Sequence, residues 1–165
     1  MSTRSSHRST YLLGLIAIVV LLAISLYLQL VDGILPCPLC TLQRLTFAVL
    51  GVVFLLGTLL CQFRSARLIA NILAITTSGL GIFLAGRQIW LQHFHTDSSE
   101  CGVSLQYMIQ VLPLNEVLQK VFAGSAECAQ RGWEFLSLNM AEWALFWFAG
   151  FMVFSFYLLF KGLRR

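Results

Sequence analysis

Four long apolar segments constrain this chain more than any other feature of its sequence. They cover about residues 11–31, 41–61, 68–91 and 141–160, and a helix needs roughly 20 apolar residues to cross a bilayer. Charged residues make up 11% of the chain, well below the share of about 25% in soluble domains. The sequence therefore predicts an all-α membrane protein, a bundle of four transmembrane helices that forms a single domain over residues 1–165.

The first apolar segment has an alternative interpretation as part of a cleaved signal peptide. In a signal peptide the apolar region is about 7–15 residues long and precedes a small-residue cleavage site. Here Tyr11–Val31 is 21 residues long and continues into Asp32-Gly33-Ile34-Leu35-Pro36. We therefore expect this segment to remain as the first transmembrane helix.

Basic residues are divided unequally between the two sides of the predicted bundle. Four spans place both termini and a turn over residues 62–67 on one side, which has seven basic and no acidic residues. These basic residues are Arg4, Arg8, Arg64, Arg67, Lys161, Arg164 and Arg165. The opposite loop, residues 92–140, has two basic and five acidic residues. By the positive-inside rule the termini are cytoplasmic, and residues 32–40 and 92–140 face the periplasm or an equivalent compartment.

The loop over residues 92–140 is long enough to have a function of its own. Within it, an apolar stripe at helical spacing predicts a short amphipathic helix that lies in the membrane interface or packs against the bundle. The stripe consists of Leu114, Val117, Leu118, Val121 and Phe122.

Cys37 and Cys40 follow the first span in the sequence Pro36-Cys37-Pro38-Leu39-Cys40. Two cysteines at this spacing can form a static disulfide, hold half of a zinc site or act as a redox pair. Zinc is disfavoured because Cys101 and Cys128 stand 27 positions apart without a histidine at a suitable spacing. A redox role is favoured because the motif begins a helix, whose positive end stabilises a thiolate on Cys40.

Arg44 lies four residues after Cys40, on the same face of the second helix and one turn deeper. A guanidinium at this depth is costly without an anionic or polar partner, unless the side chain extends to the membrane interface. The functional interpretation is that Arg44 stabilises a thiolate, or the negative charge that develops on a bound electron acceptor. Gln43 is a further candidate for the same region.

Three more cysteines lie outside this motif. Cys101 and Cys128, in the long loop, can form a stabilising disulfide or exchange with the first pair through mixed disulfides. Cys61 lies at the cytoplasmic end of the second span, and the sequence assigns it no role. The roles of Arg87 and His95 are left open in the same way.

The sequence resembles the DsbB family of disulfide bond formation proteins, membrane thiol oxidoreductases that reoxidise the periplasmic oxidase DsbA. The resemblance covers about residues 11–160 and rests on three motifs. They are Pro36-Cys37-Pro38-Leu39-Cys40 with Gln43-Arg44 behind it, Leu112-Pro113-Leu114, and Cys128-Ala129-Gln130-Arg131-Gly132-Trp133-Glu134-Phe135-Leu136. The resemblance implies a multi-pass protein of the bacterial inner membrane that is a disulfide-generating enzyme.

The resemblance also implies a role for each of four cysteines. Cys101 corresponds to the cysteine that the partner oxidase attacks. Cys128 corresponds to the cysteine that then engages Cys37. Cys40 corresponds to the cysteine whose thiolate faces ubiquinone, and Cys37 to its partner, which exchanges with the loop pair.

Two further residues and the reaction partners are implied in the same way. Arg44 corresponds to the arginine needed for quinone binding and activation, and His93 to a histidine placed near the quinone. The cofactor implied is ubiquinone or menaquinone. The partners implied are a DsbA-type periplasmic thiol oxidase and membrane lipid; we expect no nucleic-acid partner and no metal.

Two alternative functions are compatible with parts of the sequence. A quinone reductase that resembles vitamin K epoxide reductase also has a Cys-x-x-Cys, but its quinone-facing pair follows the loop cysteines, whereas here the pair precedes them. A tetraspan adhesion or assembly protein has static loop disulfides, which are inert to thiol exchange.

Overall fold

The computed structural model of the chain describes residues 2–32, 37–94, 110–113, 115–116, 134–135 and 137–163. Most of these residues belong to four long helices: α1 (Ser2–Asp32), α2 (Pro38–Leu59), α3 (Arg64–Phe94) and α4 (Met140–Leu163). Two short strands, β1 (Glu134–Phe135) and β2 (Leu138–Asn139), directly precede α4. Apart from Asn115 and Glu116, the predicted amphipathic helix over 114–122 lies outside the described residues.

All four helices are long and apolar enough to cross a membrane. The candidate spans are Arg8–Val31, Pro38–Leu59, Arg64–Phe94 and Met140–Gly162. Large apolar side chains are exposed on each helix, for example Leu13, Leu45, Phe83 and Val153, which suits contact with lipid acyl chains. The predicted all-α bundle of four membrane helices is confirmed.

The connection between α2 and α3 is shorter than the apolar pattern indicates. The sequence predicts Arg64 and Arg67 in a turn over residues 62–67, but both lie in the first turn of α3. The Arg67 N–H donates to the Phe63 carbonyl at 3.1 Å, an α-helical hydrogen bond. That expectation is wrong because hydropathy marks where a helix enters the apolar layer, whereas arginine favours helix well outside it. Cys61, which falls in the second apolar segment, lies in the connecting turn.

The core of the bundle draws on all four helices, with α2 packed against α1 and α3, and α3 packed against α4. Phe47 of α2 stacks on Phe148 of α4 with ring centroids 3.9 Å apart. The Tyr11 hydroxyl of α1 donates to Asn71 Oδ1 of α3 at 2.8 Å. Gly81 allows α4 to approach α3 closely, since a Cβ there would lie 2.4 Å from the Phe148 ring.

A short hairpin leads directly into α4. Strands β1 and β2 pair antiparallel, with Glu134 opposite Asn139 and Phe135 opposite Leu138. In the connection Ser137 has a φ of 64°, in the left-handed region that tight hairpin turns use. The sequence did not predict this hairpin because strands of two residues are too short to show an alternating apolar pattern.

Candidate active site

The Cys37–Cys40 pair lies at the first turn of α2. Cys37 is the N-cap and Pro38 the first helical residue, a position that suits proline because an N–H there has no helical partner. The Cys40 N–H donates to Cys37 Sγ at 3.3 Å. The two sulfurs are 2.9 Å apart, so a small side-chain movement would bring them to the S–S bond length of about 2.05 Å. Cys37 is 6% exposed and Cys40 is half-buried, which makes Cys40 the more accessible thiol.

Gln88 of α3 contacts both sulfurs. Its Nε2 donates to Cys40 Sγ at 3.1 Å and, more distantly, to Cys37 Sγ at 3.6 Å. Gln43 of α2 in turn donates from its Nε2 to Gln88 Oε1 at 2.8 Å. Both glutamines are buried, with 3% of Gln88 and 5% of Gln43 exposed. On its α3 side the cysteine pair is therefore bounded by a buried chain of neutral hydrogen bonds.

Arg44, the next residue of α2, reaches toward α1 instead. Its Nη1 donates to Gln29 Oε1, and its Nη2 donates to the Ser25 carbonyl at 3.2 Å. Ser25 and Gln29 are four residues apart, so both lie on one face of α1. Both acceptors are neutral, and no carboxylate among the side chains that the structure describes pairs with Arg44. The α1 side of the site therefore holds a positive charge that its immediate contacts do not neutralise.

Apolar side chains enclose the inner part of the cysteine pair. Leu39, Leu84 and Leu91 are buried in one cluster with Cys37, and Leu112 from the loop segment 110–113 packs on the same cluster. Apolar surroundings lower the local dielectric constant and so strengthen each hydrogen bond and charge interaction within them. Contacts from Gln88 therefore act on the sulfurs more strongly than they would in water.

A second glutamine of α3 holds the start of α4, at the same end of the bundle as the cysteine pair. Gln92 Oε1 accepts a hydrogen bond of 2.7 Å from Asn139 Nδ2. Asn139 and Glu142 form a reciprocal cap, in which the Asn139 N–H donates to Glu142 Oε2 at 2.8 Å and the Glu142 N–H donates to Asn139 Oδ1 at 2.9 Å. The Asn139 side chain therefore both caps α4 and joins it to α3.

Two other candidate residues of α3 lie near the site in sequence. His93 follows Gln88 by five residues and has an exposed ring, whose Nδ1–H donates to the Ile89 carbonyl of the same helix at 3.0 Å. The place near a quinone that the family resemblance implies for His93 stays a prediction. Arg87 is half-buried beside Gln88, and its role stays open.

The remaining cysteines are separated from the pair or lie beyond the described ranges. Cys61 follows the far end of α2, whose 22 residues correspond to about 33 Å of helix. Cys101, Cys128 and His95 are outside the described residues, so exchange between the two cysteine pairs stays a prediction. Among the side chains that are described, no group of three histidine, cysteine or acidic residues is placed to hold a metal.

Three contacts of the site were missed from the sequence: Gln88, Gln29 and Ser25. Gln88 lies on the stripe of α3 that also buries Leu84 and Leu91, and a polar residue at helical spacing on an apolar stripe is a usable signal. Ser25 and Gln29 carry a similar signal, since they interrupt the first apolar segment at a spacing of four. Neither pattern says which distant residue each side chain meets.

Comparison with known proteins assigns the chain to a family. It matches the family described as disulfide bond formation protein DsbB over residues 7–158. Disulfide bond formation protein B of Xanthomonas euvesicatoria pv. vesicatoria (strain 85-10) is 37% identical over 98% of this chain and 95% of its own length. The protein of that name from Xanthomonas axonopodis pv. citri (strain 306) is 38% identical with the same coverage. The one from Xylella fastidiosa (strain 9a5c) is 36% identical over 97% of this chain and 94% of its own length. The resemblance is thereby confirmed, and the chain belongs to the DsbB family of disulfide bond formation proteins, as a multi-pass membrane oxidoreductase.

Proposed function

We propose that the chain takes electrons from a DsbA-type thiol oxidase of the periplasm and delivers them to a membrane quinone, ubiquinone or menaquinone. The oxidase dithiol becomes a disulfide, and its two electrons reach Cys37–Cys40 through Cys101–Cys128 by successive thiol–disulfide exchange. A bound quinone is the final acceptor of two electrons and two protons. Each thiol–disulfide exchange breaks one S–S bond and forms another. In the last step the Cys37–Cys40 dithiol forms its disulfide again, and its two electrons and two protons pass to the quinone.

The observation that carries this proposal is the charge of Arg44 beside an accessible thiol. Arg44 lies one helical turn from Cys40, and its described contacts are the neutral oxygens of Gln29 and Ser25. An acceptor that gains electrons gains negative charge, which a guanidinium held in advance stabilises. Arg44 is therefore suited to an electron acceptor that binds beside Cys40.

The residues around the pair suit a quinone in shape and polarity. Leu42 and Leu112 are half-buried and pack against the same apolar cluster as Cys40, so each leaves part of its apolar surface open. Arginine has five N–H donors, and the contacts with α1 occupy two of them, so others can bind a quinone oxygen. A quinone ring needs this combination of apolar surface and a few directed donors. In the proposal His93 provides a further polar contact.

The proposal includes an orientation in the bacterial inner membrane. The cysteine pair faces the periplasm, where the oxidase is found, and both termini face the cytoplasm. Arg8, Arg64 and Lys161 lie near the helix ends that are distant from Cys37 and Cys40. This distribution of basic residues agrees with the positive-inside rule.

Quinone reduction by the purified protein tests the proposal. The detergent-solubilised protein is mixed with a reduced DsbA-type oxidase and a short-chain ubiquinone, and the ultraviolet absorbance of the quinone is followed. We expect one quinone reduced per oxidase dithiol, and no turnover in Cys40→Ser. Cys61→Ser is the matched control and retains turnover, since Cys61 lies beyond the far end of α2. Normal turnover in Cys40→Ser would contradict the mechanism, and a parallel assay with a menaquinone analogue identifies the preferred acceptor.

A second variant separates the roles of the two cysteine pairs. Cys101→Ser is expected to stop oxidation of the partner oxidase. A small dithiol should still reduce Cys37–Cys40 directly in this variant, and quinone reduction should continue. Loss of both reactions would mean that Cys101 is needed for the structure of the protein and does not relay electrons.

A further inference from the structure

We infer that Gln88 is a catalytic residue of the cysteine pair, a hydrogen-bond donor that stabilises the thiolate of Cys40, and that Gln43 is its positioning residue. The inference rests on the proposed function, because it assigns a thiolate-stabilising group to the same site. It concerns the side of the site that faces α3, where neutral amides make the contacts, whereas the charged Arg44 side chain lies toward α1.

The contacts of the two sulfurs are unequal. Cys40 Sγ accepts from Gln88 Nε2 at 3.1 Å and from the Cys37 thiol at 2.9 Å. Cys37 Sγ is 3.6 Å from Gln88 Nε2 and accepts the Cys40 N–H at 3.3 Å. Hydrogen bonds to an ionised acceptor are stronger than those to a neutral one, so two short donors favour negative charge on Cys40. Cys40 is also the more exposed sulfur, and so it is both the stabilised and the accessible thiolate.

Gln43 determines which end of the Gln88 amide faces the sulfurs. An amide side chain has an NH₂ donor at one end and a carbonyl acceptor at the other. If Gln88 were turned over, its oxygen would face the sulfur lone pairs and repel a thiolate. The 2.8 Å hydrogen bond from Gln43 Nε2 occupies the Gln88 oxygen and leaves the NH₂ group toward the cysteines. Because both side chains are buried, breaking this bond without replacement by water is costly.

A purely structural role for the two glutamines makes a different prediction. Buried amides that bond only to each other add to stability and leave the chemistry of nearby groups unchanged. Gln88 differs because its NH₂ group donates hydrogen bonds to the reacting sulfurs. The decisive measurement is therefore the reactivity of Cys40 as a function of pH, and not the stability of the bundle.

The test uses the full chain with Cys61, Cys101 and Cys128 replaced by serine, so that Cys37 and Cys40 are the remaining thiols. After reduction, the rate of alkylation by iodoacetamide is measured against pH, and mass spectrometry identifies the modified cysteine. We expect Cys40 to react first, and Gln88→Leu to shift its pH profile upward by about one unit, the size of one hydrogen bond to a charged group. Gln62→Leu, an exposed glutamine in the turn after α2, is the matched control and leaves the profile unchanged. An unshifted profile in Gln88→Leu overturns the inference.

A double-variant cycle tests the positioning role of Gln43. Gln43→Leu is expected to shift the profile in the same direction but by less, because the freed Gln88 amide still points its NH₂ group at the sulfurs part of the time. The double variant Gln43→Leu/Gln88→Leu should shift it no further than Gln88→Leu alone, since Gln43 acts through Gln88. Additive shifts would overturn the positioning role. The double variant removes both amides and so leaves neither of them buried without its partner. If either single variant folds poorly, the pH profile of Cys40 alkylation is therefore measured in the double variant.

The alkylation assay needs neither quinone nor partner oxidase, so its failure is distinct from failure of the proposed function. A shifted profile in a protein that does not reduce quinone supports the role of Gln88 and overturns the proposed function alone. If both hold, the Gln88→Leu variant of the protein with all five cysteines should turn over about tenfold more slowly near neutral pH and recover at higher pH. The KM for quinone should stay unchanged in this variant, because Gln88 contacts the cysteines and Arg44 does not depend on it.

Discussion

Gln43 and Arg44 are adjacent in the sequence, yet their side chains contact different helices. Gln43 is buried and neutral, and its hydrogen bond leads through Gln88 of α3 to the two sulfurs. Arg44 is half-buried and positively charged, and it is bonded to neutral oxygens of α1. Successive residues of a helix point about 100° apart, so one turn of α2 can serve two neighbours. The two sides of the site therefore differ in role. Gln88 of α3 hydrogen-bonds to the thiol, whereas α1 positions the Arg44 guanidinium, whose charge is available to the electron acceptor.

Burial explains why the charge lies on the α1 side. A charge in the fully buried α3 contact would need a close counter-charge to offset its loss of hydration. Neutral amides need only their hydrogen bonds to be satisfied, and the Gln43–Gln88 contact satisfies them. On the more open α1 side, the amide and carbonyl oxygens of Gln29 and Ser25 support the guanidinium while its charge remains available.

Removing the charge on the α1 side should have the largest effect on catalysis. Arg44→Met keeps an unbranched apolar side chain but removes the guanidinium with its charge and donors, and we expect kcat/KM for quinone to fall by about 100-fold, as when a preorganised donor is lost. The kcat/KM of Arg44→Lys should fall between those of the wild-type protein and Arg44→Met, because an ammonium keeps the charge but not the planar fork of donors that the guanidinium presents. Steady-state kinetics with varied quinone measure both changes.

The same variant distinguishes the two sides of the site. In Arg44→Met the pH profile of Cys40 alkylation should shift less than in Gln88→Leu, since Gln88 still donates to the sulfur. If instead Arg44→Met shifted the profile more than Gln88→Leu and left quinone kinetics unchanged, Arg44 would act on the thiolate, and the division between α1 and α3 would be wrong.

Much of this arrangement could be predicted from the sequence, because it depends on short-range patterns. The four helices followed from apolar segments long enough for a bilayer, and Cys40 and Arg44 were placed on one helix by their spacing of four. The start of α2 within the Cys37–Cys40 motif agrees with the sequence, which places the motif at the beginning of a helix. Each of these inferences needs information from within a few residues.

The contacts between helices could not be predicted in the same way. Gln88 is 48 positions from Cys40 in the sequence, and no local pattern specifies that their side chains meet. The start of α3 was placed too late because its first residues are polar while remaining good helix formers. Gln43 was recognised as a candidate near the pair, but its partner on α3 depends on how α2 and α3 pack.

Changing the charge of the Arg44 partner should have a smaller effect than removing Arg44. In Gln29→Glu a carboxylate replaces the neutral acceptor, so an ion pair would offset the positive charge that the acceptor is proposed to use. We expect kcat/KM for quinone to fall by about tenfold, a loss of about 1.4 kcal/mol of transition-state stabilisation. Gln62→Glu adds the same charge at the exposed turn after α2 and should change little. Equal kinetics in Gln29→Glu and the wild-type protein would show that the charge of Arg44 is not what promotes the reaction.

The smallest effect is expected at Asn139, which joins α3 to α4 beyond the cysteine contacts. Asn139→Ala removes both the cap of α4 and the bond to Gln92, and should lower the free energy of unfolding by about 2 kcal/mol, one for each interaction. Asn139→Ser keeps a capping oxygen but cannot reach Gln92, so its free energy of unfolding should fall by only about half as much as that of Asn139→Ala. Thermal unfolding in detergent measures these differences. The alkylation profile of Cys40 should be unchanged in both variants, because the Gln43–Gln88 contact alone orients the donor. A shifted profile would mean instead that α4, through Gln92, helps to hold Gln88 against the thiol.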